Sequence, residues 1–320
     1  MKRFIAVFLI LVLSAALFGC EKNTYNSNDG KIDIVCTSFP QYDWVREIIG
    51  DAGDKFNLSY LTDNGVDMHS YQPTVGDIVA ISSCDVLIYN GGESEKWIDD
   101  ITENGIGKNT VVINLMNELG DRKKHETEPE GSGNDGHKHH DNEEEYDEHI
   151  WLSLENAVYL CNVIKDKLSA VSPSDAKSFG ANTENYTSKL SKLKEEYISA
   201  VDNSKIKTIV VADRFAFRYL ADECNLKYYA AFPGCSAETE ASFETVVFLA
   251  NKVSELDIPV ILTMENSDDK LAKTIIKNSK DCKIMVLNSM QSTNKNTAEN
   301  ETYLKIMQSN LKVLKAALGE

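Results

Sequence analysis

Short apolar runs rich in β-branched residues alternate with amphipathic stretches, and this alternation occurs twice along the chain. Runs typical of buried strands cover residues 32–39, 56–62, 85–90 and 110–116 in the first half, and 207–212, 227–232, 259–264 and 283–287 in the second. Helical patterns between them cover residues 41–49, 74–83 and 94–102, then 215–224, 240–256 and 268–279. Strands that alternate with helices predict parallel sheets covered on both faces, so each half is predicted to be a doubly wound α/β lobe.

A long helical pattern separates the two halves. It begins at Pro173, which suits a first helical turn, and it contains no further proline through Val201. One apolar stripe runs along it, formed by Phe179, Tyr186, Leu190, Leu193, Tyr197 and Val201. We therefore predict an N-terminal lobe over residues 32–172, a rigid connecting helix over 173–203 and a C-terminal lobe over 204–320, which ends in a helix at about 299–318.

The N-terminus has the pattern of an export signal. Lys2 and Arg3 precede an apolar run over residues 4–18, which is shorter than the roughly 20 residues of a spanning helix. Leu17-Phe18-Gly19-Cys20 resembles a lipobox, so residues 1–20 are predicted to be a lipoprotein signal peptide, with Cys20 lipidated. The alternative is an ordinary signal peptide. Residues 21–31 are predicted to be a flexible tether. The export signal and the lipidated Cys20 together predict that the protein lies on the extracellular face of the membrane.

Composition excludes several partners. The net charge of −17 argues against binding nucleic acid or an anionic membrane surface, whereas it is compatible with attracting cations. Hydrophobic residues make up 42% of the chain, as in a globular protein. The six cysteines besides Cys20 show no CxxC spacing, which excludes a zinc ribbon and leaves disulfide pairing open.

Residues 121–148 break the alternating pattern. This segment is acidic, has almost no apolar residues and carries four of the six histidines: His125, His137, His139 and His140. Such a composition predicts a disordered acidic loop inserted in the N-terminal lobe. Clustered imidazoles and carboxylates favour a role in gathering metal at low affinity. The alternative is a solvated linker whose histidines have no role.

The remaining two histidines, His69 and His149, lie in ordered surroundings. His69 follows the predicted strand at 56–62, and His149 lies where the acidic insert returns to apolar sequence. Ligands of open α/β sheets bind at the carboxyl ends of strands, which for two facing lobes means the cleft between them. Two imidazoles from different loops provide half of a tetrahedral zinc site. The alternative is that both histidines have only structural roles.

Six sequence segments resemble the metal-binding lipoproteins of zinc and manganese ABC importers (cluster A-I type), a group that includes adhesin-like lipoproteins. They are TSFPQYDWVREIIGD, VDMHSYQPT, CDVLIYNGGESEKWIDD, DEHIWLSLENA, FAFRYLADECNL and IPVILTMEN. The His-rich insert is similar to that of the zinc-type members. The resemblance implies two lobes joined by a rigid helix, a metal in the cleft and delivery to a membrane permease and its ATPase. By position, His69 and His149 match the N-terminal-lobe ligands of the family.

The chain departs from the family at the C-terminal-lobe ligands. The third ligand position falls at Arg214, which cannot coordinate a cation, and the fourth falls at Asn288, a poor zinc ligand. Candidate replacements are Asp213, Cys235, Glu238, Glu240 and Glu265. Each also has an ordinary alternative role: Glu240 as the start of a helix, for example, or Glu265 and Asp213 as ion-pair partners of Arg214.

These observations predict a monomeric, extracellular lipoprotein that binds Zn²⁺ and serves an ABC importer. HExxH, GxSxG and phosphate-loop motifs are missing from the sequence, so an enzyme is not expected, although two histidines and carboxylates also suit a metallohydrolase. Two further alternatives remain open. In the first alternative, the bound metal is Mn²⁺ or Fe²⁺, which oxygen ligands such as Glu265 would favour. In the second, the chain is an adhesin or a sensor whose metal site is degenerate.

Overall fold

The computed structural model describes residues 30–132, 145–235, 240–278 and 281–320, and these contain two four-stranded parallel sheets. The strands are β1 (Ile32–Cys36), β2 (Phe56–Tyr60), β3 (Val86–Tyr89), β4 (Val111–Asn114), β5 (Thr208–Arg214), β6 (Lys227–Phe232), β7 (Val260–Thr263) and β8 (Lys283–Val286). The sheet orders are β2-β1-β3-β4 and β6-β5-β7-β8. The two lobes therefore repeat one topology, and the predicted α/β fold class is confirmed.

The helices connect and cover these strands. They are α1 (Phe39–Ile49), α2 (Val75–Ser83), α3 (Lys96–Asn104), α4 (Leu115–Leu119), α5 (Leu154–Val171), α6 (Ala176–Asn203), α7 (Arg218–Glu223), α8 (Phe243–Glu255), α9 (Lys270–Ile275), α10 (Lys295–Asn300) and α11 (Tyr303–Ala317). Side-chain caps begin several of them. Thr74, for example, accepts a hydrogen bond from the backbone N of Asp77 at the start of α2.

Strand residues alternate between two faces of each sheet. In β5, Ile209 and Val211 join a large apolar core, whereas Val210 and Ala212 join a smaller cluster beneath α8 and α9. The large core also contains residues of β1, of α5 and of the full length of α6. A single apolar core therefore extends from one lobe through α6 into the other, and α6 is the long interlobe helix that the stripe predicted.

The C-terminal helices return to the N-terminal lobe. One helix was predicted at 299–318, but the chain forms α10 and then α11, because Thr302 caps α11 by accepting a hydrogen bond from Lys305 N. The backbone N of Tyr303 donates to Asp43 Oδ2 (2.8 Å), and the Tyr303 hydroxyl donates to the Trp151 carbonyl (2.6 Å). These bonds join the end of the chain to α1 and to the segment after His149.

The two limbs of the acidic insert, residues 121–132 and 145–148, are ordered, so the prediction of a disordered loop over 121–148 is wrong for these residues. Glu126 N donates to Glu145 O, and Asp147 N donates to Lys124 O, each at 2.9 Å, so the limbs form a short antiparallel ribbon. The Tyr219 hydroxyl of the C-terminal lobe bonds both limbs, accepting from Lys124 N and donating to the Asp147 carbonyl, each at 3.0 Å. The polar composition did not reveal these long-range hydrogen bonds.

Several predicted features lie outside the described residues: the signal peptide, Cys20, most of the tether, His137, His139 and His140, and Glu238. Within the described ranges, no helix is long and apolar enough to cross a bilayer. The six cysteines in those ranges are free thiols. Four of them, Cys36, Cys84, Cys161 and Cys224, are buried.

The connecting helix provides a test of the shared core. Leu190 of α6 is fully buried, and replacing it with Ala is expected to lower the free energy of unfolding by about 2–5 kcal/mol through lost packing and a residual cavity. Lys192→Ala, an exposed substitution on the same helix, should change it by less than about 0.5 kcal/mol. Urea unfolding followed by circular dichroism measures both, and equal effects would contradict the assignment of α6 to the core.

Candidate metal centre between the lobes

His69 lies in the loop after β2, at the carboxyl edge of the N-terminal sheet. A short 3₁₀ turn, Met68–Ser70, presents it, and Asp67 caps that turn by accepting a hydrogen bond from His69 N at 2.9 Å. Buried Met68 anchors the turn. The His69 Nδ1 atom lies 2.7 Å from the Ser94 hydroxyl, so one ring nitrogen has a partner and Nε2 faces the cleft.

His149 is fully buried at the point where the ribbon enters the 3₁₀ turn Ile150–Leu152. Asp147 Oδ1 accepts hydrogen bonds from both His149 N (2.8 Å) and His149 Nδ1 (3.0 Å). The next residues are anchored in turn, because Trp151 Nε1 donates to the Ser289 carbonyl across the lobes (2.8 Å). The Asp147 bond selects the ring tautomer with a proton on Nδ1, which leaves the Nε2 lone pair available.

The two imidazoles face each other through their remaining nitrogens. His69 Nε2 and His149 Nε2 are 3.2 Å apart, and the ring centroids are 5.2 Å apart. With both Nδ1 atoms engaged by neighbours, two Nε2 lone pairs at this distance repel each other unless a proton or a cation lies between them. Imidazoles whose outer nitrogens are hydrogen-bonded to a carboxylate or hydroxyl are typical of metal ligands.

The electrostatic surroundings of the two rings differ. Burial, with the nearby His149, lowers the pKa of His69 to about 3, so this imidazole is neutral at physiological pH. Burial alone would lower the pKa of His149, but the Asp147 carboxylate, aided by Glu148 and Glu126, outweighs it and raises that pKa. Three carboxylates on the His149 side therefore favour positive charge in this part of the cleft.

The turn after β3 closes one wall of the site around Glu148. Gly92 adopts a φ of +92°, and a Cβ atom there would lie 2.4 Å from Glu148 Oε1, so only glycine fits. Ser94 N donates to the same oxygen at 3.0 Å, while Glu148 Oε2 lies 3.6 Å from His69 Nδ1. This turn holds Ser94 and Glu148 together beside the His69 ring.

The C-terminal lobe contributes Cys235, in the loop after β6. Among the described residues, His69, His149 and Cys235 form the one group of three potential ligands, with ligand atoms all within 4.8 Å of one another. The preceding Gly234 packs against His149: a Cβ there would lie 2.8 Å from the Phe215 carbonyl and 3.1 Å from His149 Cε1. Burial, together with the carboxylates of Glu126, Glu148 and Asp147, raises the pKa of the Cys235 thiol.

The other candidates from the sequence have different partners. Glu265 uses both carboxylate oxygens to accept hydrogen bonds from Ser289 and Gln291, and Asp213 accepts from Arg214 N and Met264 N. The Asn288 carboxamide accepts from Met290 N (2.8 Å). Glu240 is exposed.

Arg214 forms an ion pair with Asp67 of the opposite lobe instead of with Asp213 or Glu265. The same Asp67 carboxylate caps the turn that presents His69. The residue at the expected third ligand position therefore connects the lobes beside the imidazole pair.

Sequence reasoning missed the aspartates that support the two histidines. Both histidines occur in an Asp-x-His arrangement, as Asp67-Met68-His69 and Asp147-Glu148-His149. In each case the aspartate side chain accepts a hydrogen bond from the backbone N two residues on, the geometry of an Asx turn. This repeated spacing was a signal for both positioning residues. Ser94, Glu126 and Glu148 had no comparable signal, because their roles depend on the tertiary fold.

Comparisons with known proteins find relatives whose names refer to zinc. Zinc-binding lipoprotein AdcA of Streptococcus pneumoniae is 30% identical over 315 residues, which is 97% of this chain and 60% of AdcA. The high-affinity zinc uptake system protein ZnuA of Bacillus subtilis is 26% identical over 329 residues, covering 99% of this chain and 98% of that protein. This chain therefore spans about 60% of the length of AdcA and nearly all of the Bacillus protein.

A solved structure of a related zinc-binding domain has the same fold. The Zn(II)-bound ZnuA-like domain of Streptococcus pneumoniae AdcA superposes with a TM-score of 0.71 at 28% identity, over 91% of this chain and 100% of that domain. The family model described as zinc-uptake complex component A, periplasmic (ZnuA), matches residues 34–317. Because that match includes both lobes, the connecting helix and the paired histidines, this chain belongs to the ZnuA family.

Proposed function

We propose that this chain captures a divalent transition metal, with zinc as the cargo, in the cleft between its lobes and delivers it to the permease of an ABC importer. The observation that carries the proposal is the 3.2 Å separation of His69 Nε2 and His149 Nε2, with both Nδ1 atoms held by neighbouring side chains. Zinc binds imidazole nitrogen at about 2.0–2.1 Å, so one ion placed between these atoms can bind both.

The donor set favours zinc over manganese. Mn²⁺ prefers carboxylate and water oxygens, whereas imidazole and thiolate suit zinc. Glu265, the carboxylate that would have favoured manganese, is hydrogen-bonded to Ser289 and Gln291. The names of the relatives, zinc-binding lipoprotein AdcA and high-affinity zinc uptake protein ZnuA, support the same metal.

The setting of the protein is part of the proposal. Lipidation of Cys20 would hold the chain on the extracellular face of the membrane, next to the permease and its ATPase, as the lipoprotein name of AdcA supports. The chain acts there as a monomeric binding protein without an enzymatic activity. The His-rich stretch of the insert gathers zinc near the cleft at lower affinity, through His125, His137, His139 and His140.

Replacing either cleft histidine tests the site. Loss of a residue that only supports a ligand typically weakens metal binding about 10–100-fold. His69→Ala and His149→Ala should each weaken zinc binding by more than this, because each removes a ligand. Competition with a chelator of known zinc affinity measures the loss on the purified full chain. His125→Ala, at an exposed histidine, is the matched control and should retain tight binding.

The insert histidines are tested separately. Combined replacement of His125, His137, His139 and His140 by Ala should remove weakly bound zinc and leave the single tight site unchanged, since none of the four belongs to the cleft pair. Zinc stoichiometry before and after dialysis against a weak chelator distinguishes the two classes. Loss of tight binding in this variant, with retention in His69→Ala, would show that the cleft pair is not the cargo site.

Gly234 provides a test of geometry that leaves every ligand in place. Gly234→Ala places a methyl group 2.8 Å from the Phe215 carbonyl and 3.1 Å from His149 Cε1, so the Gly234 loop and the His149 ring must move apart. Zinc affinity should fall by about 10-fold or more, the range of other changes that disturb ligand orientation. Gly180→Ala is the control, because nothing lies within 4 Å of a Cβ at that position. Equal zinc affinity in the two variants, with unchanged circular dichroism, would contradict the role of His149.

A further inference from the structure

The N-terminal lobe supplies two nitrogen donors to the cleft, and the donor from the C-terminal lobe is the open question. We infer that the Cys235 thiolate is the third metal ligand, which makes the cleft an N₂S site selective for thiophilic ions such as zinc and cuprous copper over manganese. This inference rests on the proposed function, since it concerns the same site. It departs from the ligand pattern that the resemblance implies, because this chain has Arg214 and Asn288 at the third and fourth ligand positions.

Geometry distinguishes Cys235 from the other cysteines. Its ligand atom lies within 4.8 Å of those of both His69 and His149, and no other cysteine in the described ranges belongs to such a group. Its position is fixed from two sides: Cys235 N donates to Glu126 Oε1 at 2.8 Å, and the adjacent Gly234 packs against the His149 ring. Zinc–nitrogen bonds of about 2.0–2.1 Å and a zinc–sulfur bond of about 2.3 Å are compatible with donors this close together.

The alternative donors at the expected positions are occupied. Arg214 has no lone pair to offer and pairs with Asp67, which keeps its guanidinium on the opposite lobe. The Asn288 carboxamide oxygen accepts a hydrogen bond from Met290 N, and the Asn288 backbone is held on both sides by Asn310. Cys235 is therefore the C-terminal-lobe residue that the fold presents to the imidazole pair.

A thiolate changes which metals the site accepts. Soft sulfur ligands select Zn²⁺ and Cu⁺, whereas Mn²⁺ is better served by carboxylate and water. When the sulfur–metal bond forms, the thiol proton leaves to solvent, so no oxidant or reductant is required. The carboxylates of Asp147 and Glu148 next to His149 then offset the positive charge that remains on the metal and its ligands.

Cobalt substitution tests the ligand directly. Co²⁺ bound to the purified full chain should show thiolate-to-cobalt charge-transfer absorption in the near ultraviolet, together with the strong visible bands of a tetrahedral site. Cys235→Ser should abolish the charge-transfer band and weaken zinc binding by more than about 100-fold, the upper end of the loss that a change outside the ligand shell causes. Cys282→Ser is the matched control at a partly exposed thiol and should leave both unchanged.

The outcomes separate this inference from the proposed function. If Co²⁺ binds, is lost in His69→Ala and shows no thiolate band in the unmodified chain, Cys235 is not a ligand while metal capture by the histidines stands. If neither Co²⁺ nor Zn²⁺ binds, both fail. These outcomes are measured on the unmodified chain and on His69→Ala, so they do not depend on the folding of any cysteine variant.

Selectivity gives a second measurement. Cys235→Asp replaces a soft donor with a hard one, so the ratio of zinc affinity to manganese affinity should fall by about 10-fold or more, chiefly through weaker zinc binding. Competition between Zn²⁺ and Mn²⁺ on the same sample measures that ratio. An unchanged ratio in a folded Cys235→Asp chain would overturn the assignment.

Discussion

The hydrogen bond between His149 Nδ1 and Asp147 determines what the cleft can do. It fixes the tautomer and orientation of a fully buried imidazole, so that its Nε2 atom faces Nε2 of His69. A buried imidazole without such a partner would have neither a defined tautomer nor a means of balancing positive charge. The ribbon and the Arg214–Asp67 ion pair position Cys235 and His69 around the His149 ring.

The ribbon at the base of the acidic insert links the donors of both lobes. Asp147 on one limb orients His149, while Glu126 on the other limb binds the backbone of Cys235. Tyr219 of the C-terminal lobe bonds both limbs. The insert is thus attached to the cleft at its base, and any movement of the C-terminal lobe relative to the ribbon changes the distance between the thiol and the imidazoles.

Arg214 adds a second interlobe link next to the site. Its ion pair with Asp67 is partly buried, with side-chain exposures of 16% and 22%, so solvent screens it less than it would screen a surface pair. Asp67 also caps the turn that carries His69. Arg214, at the third ligand position that the resemblance implies, therefore fixes the His69 turn against the opposite lobe.

Much of this arrangement was predictable because it depends on local pattern. The strand at 227–232 was predicted with the bounds that β6 shows, and the stripe from Phe179 to Val201 predicted α6, since periodic burial is written into neighbouring residues. The two ordered histidines were identifiable from their positions, His69 after a predicted strand and His149 where the acidic insert returns to apolar sequence. The Arg214–Asp67 pair, the ribbon and the proximity of Cys235 to His149 were not, because each joins residues far apart in sequence through polar contacts.

The most direct test of the account is to locate the metal by anomalous diffraction at the zinc edge, using crystals of the chain loaded with one equivalent of zinc. We predict one strong peak between the lobes, about 2.0–2.1 Å from His69 Nε2 and from His149 Nε2. A zinc peak elsewhere on the chain, with none between these two nitrogens, would contradict the assignment of the cleft as the metal site.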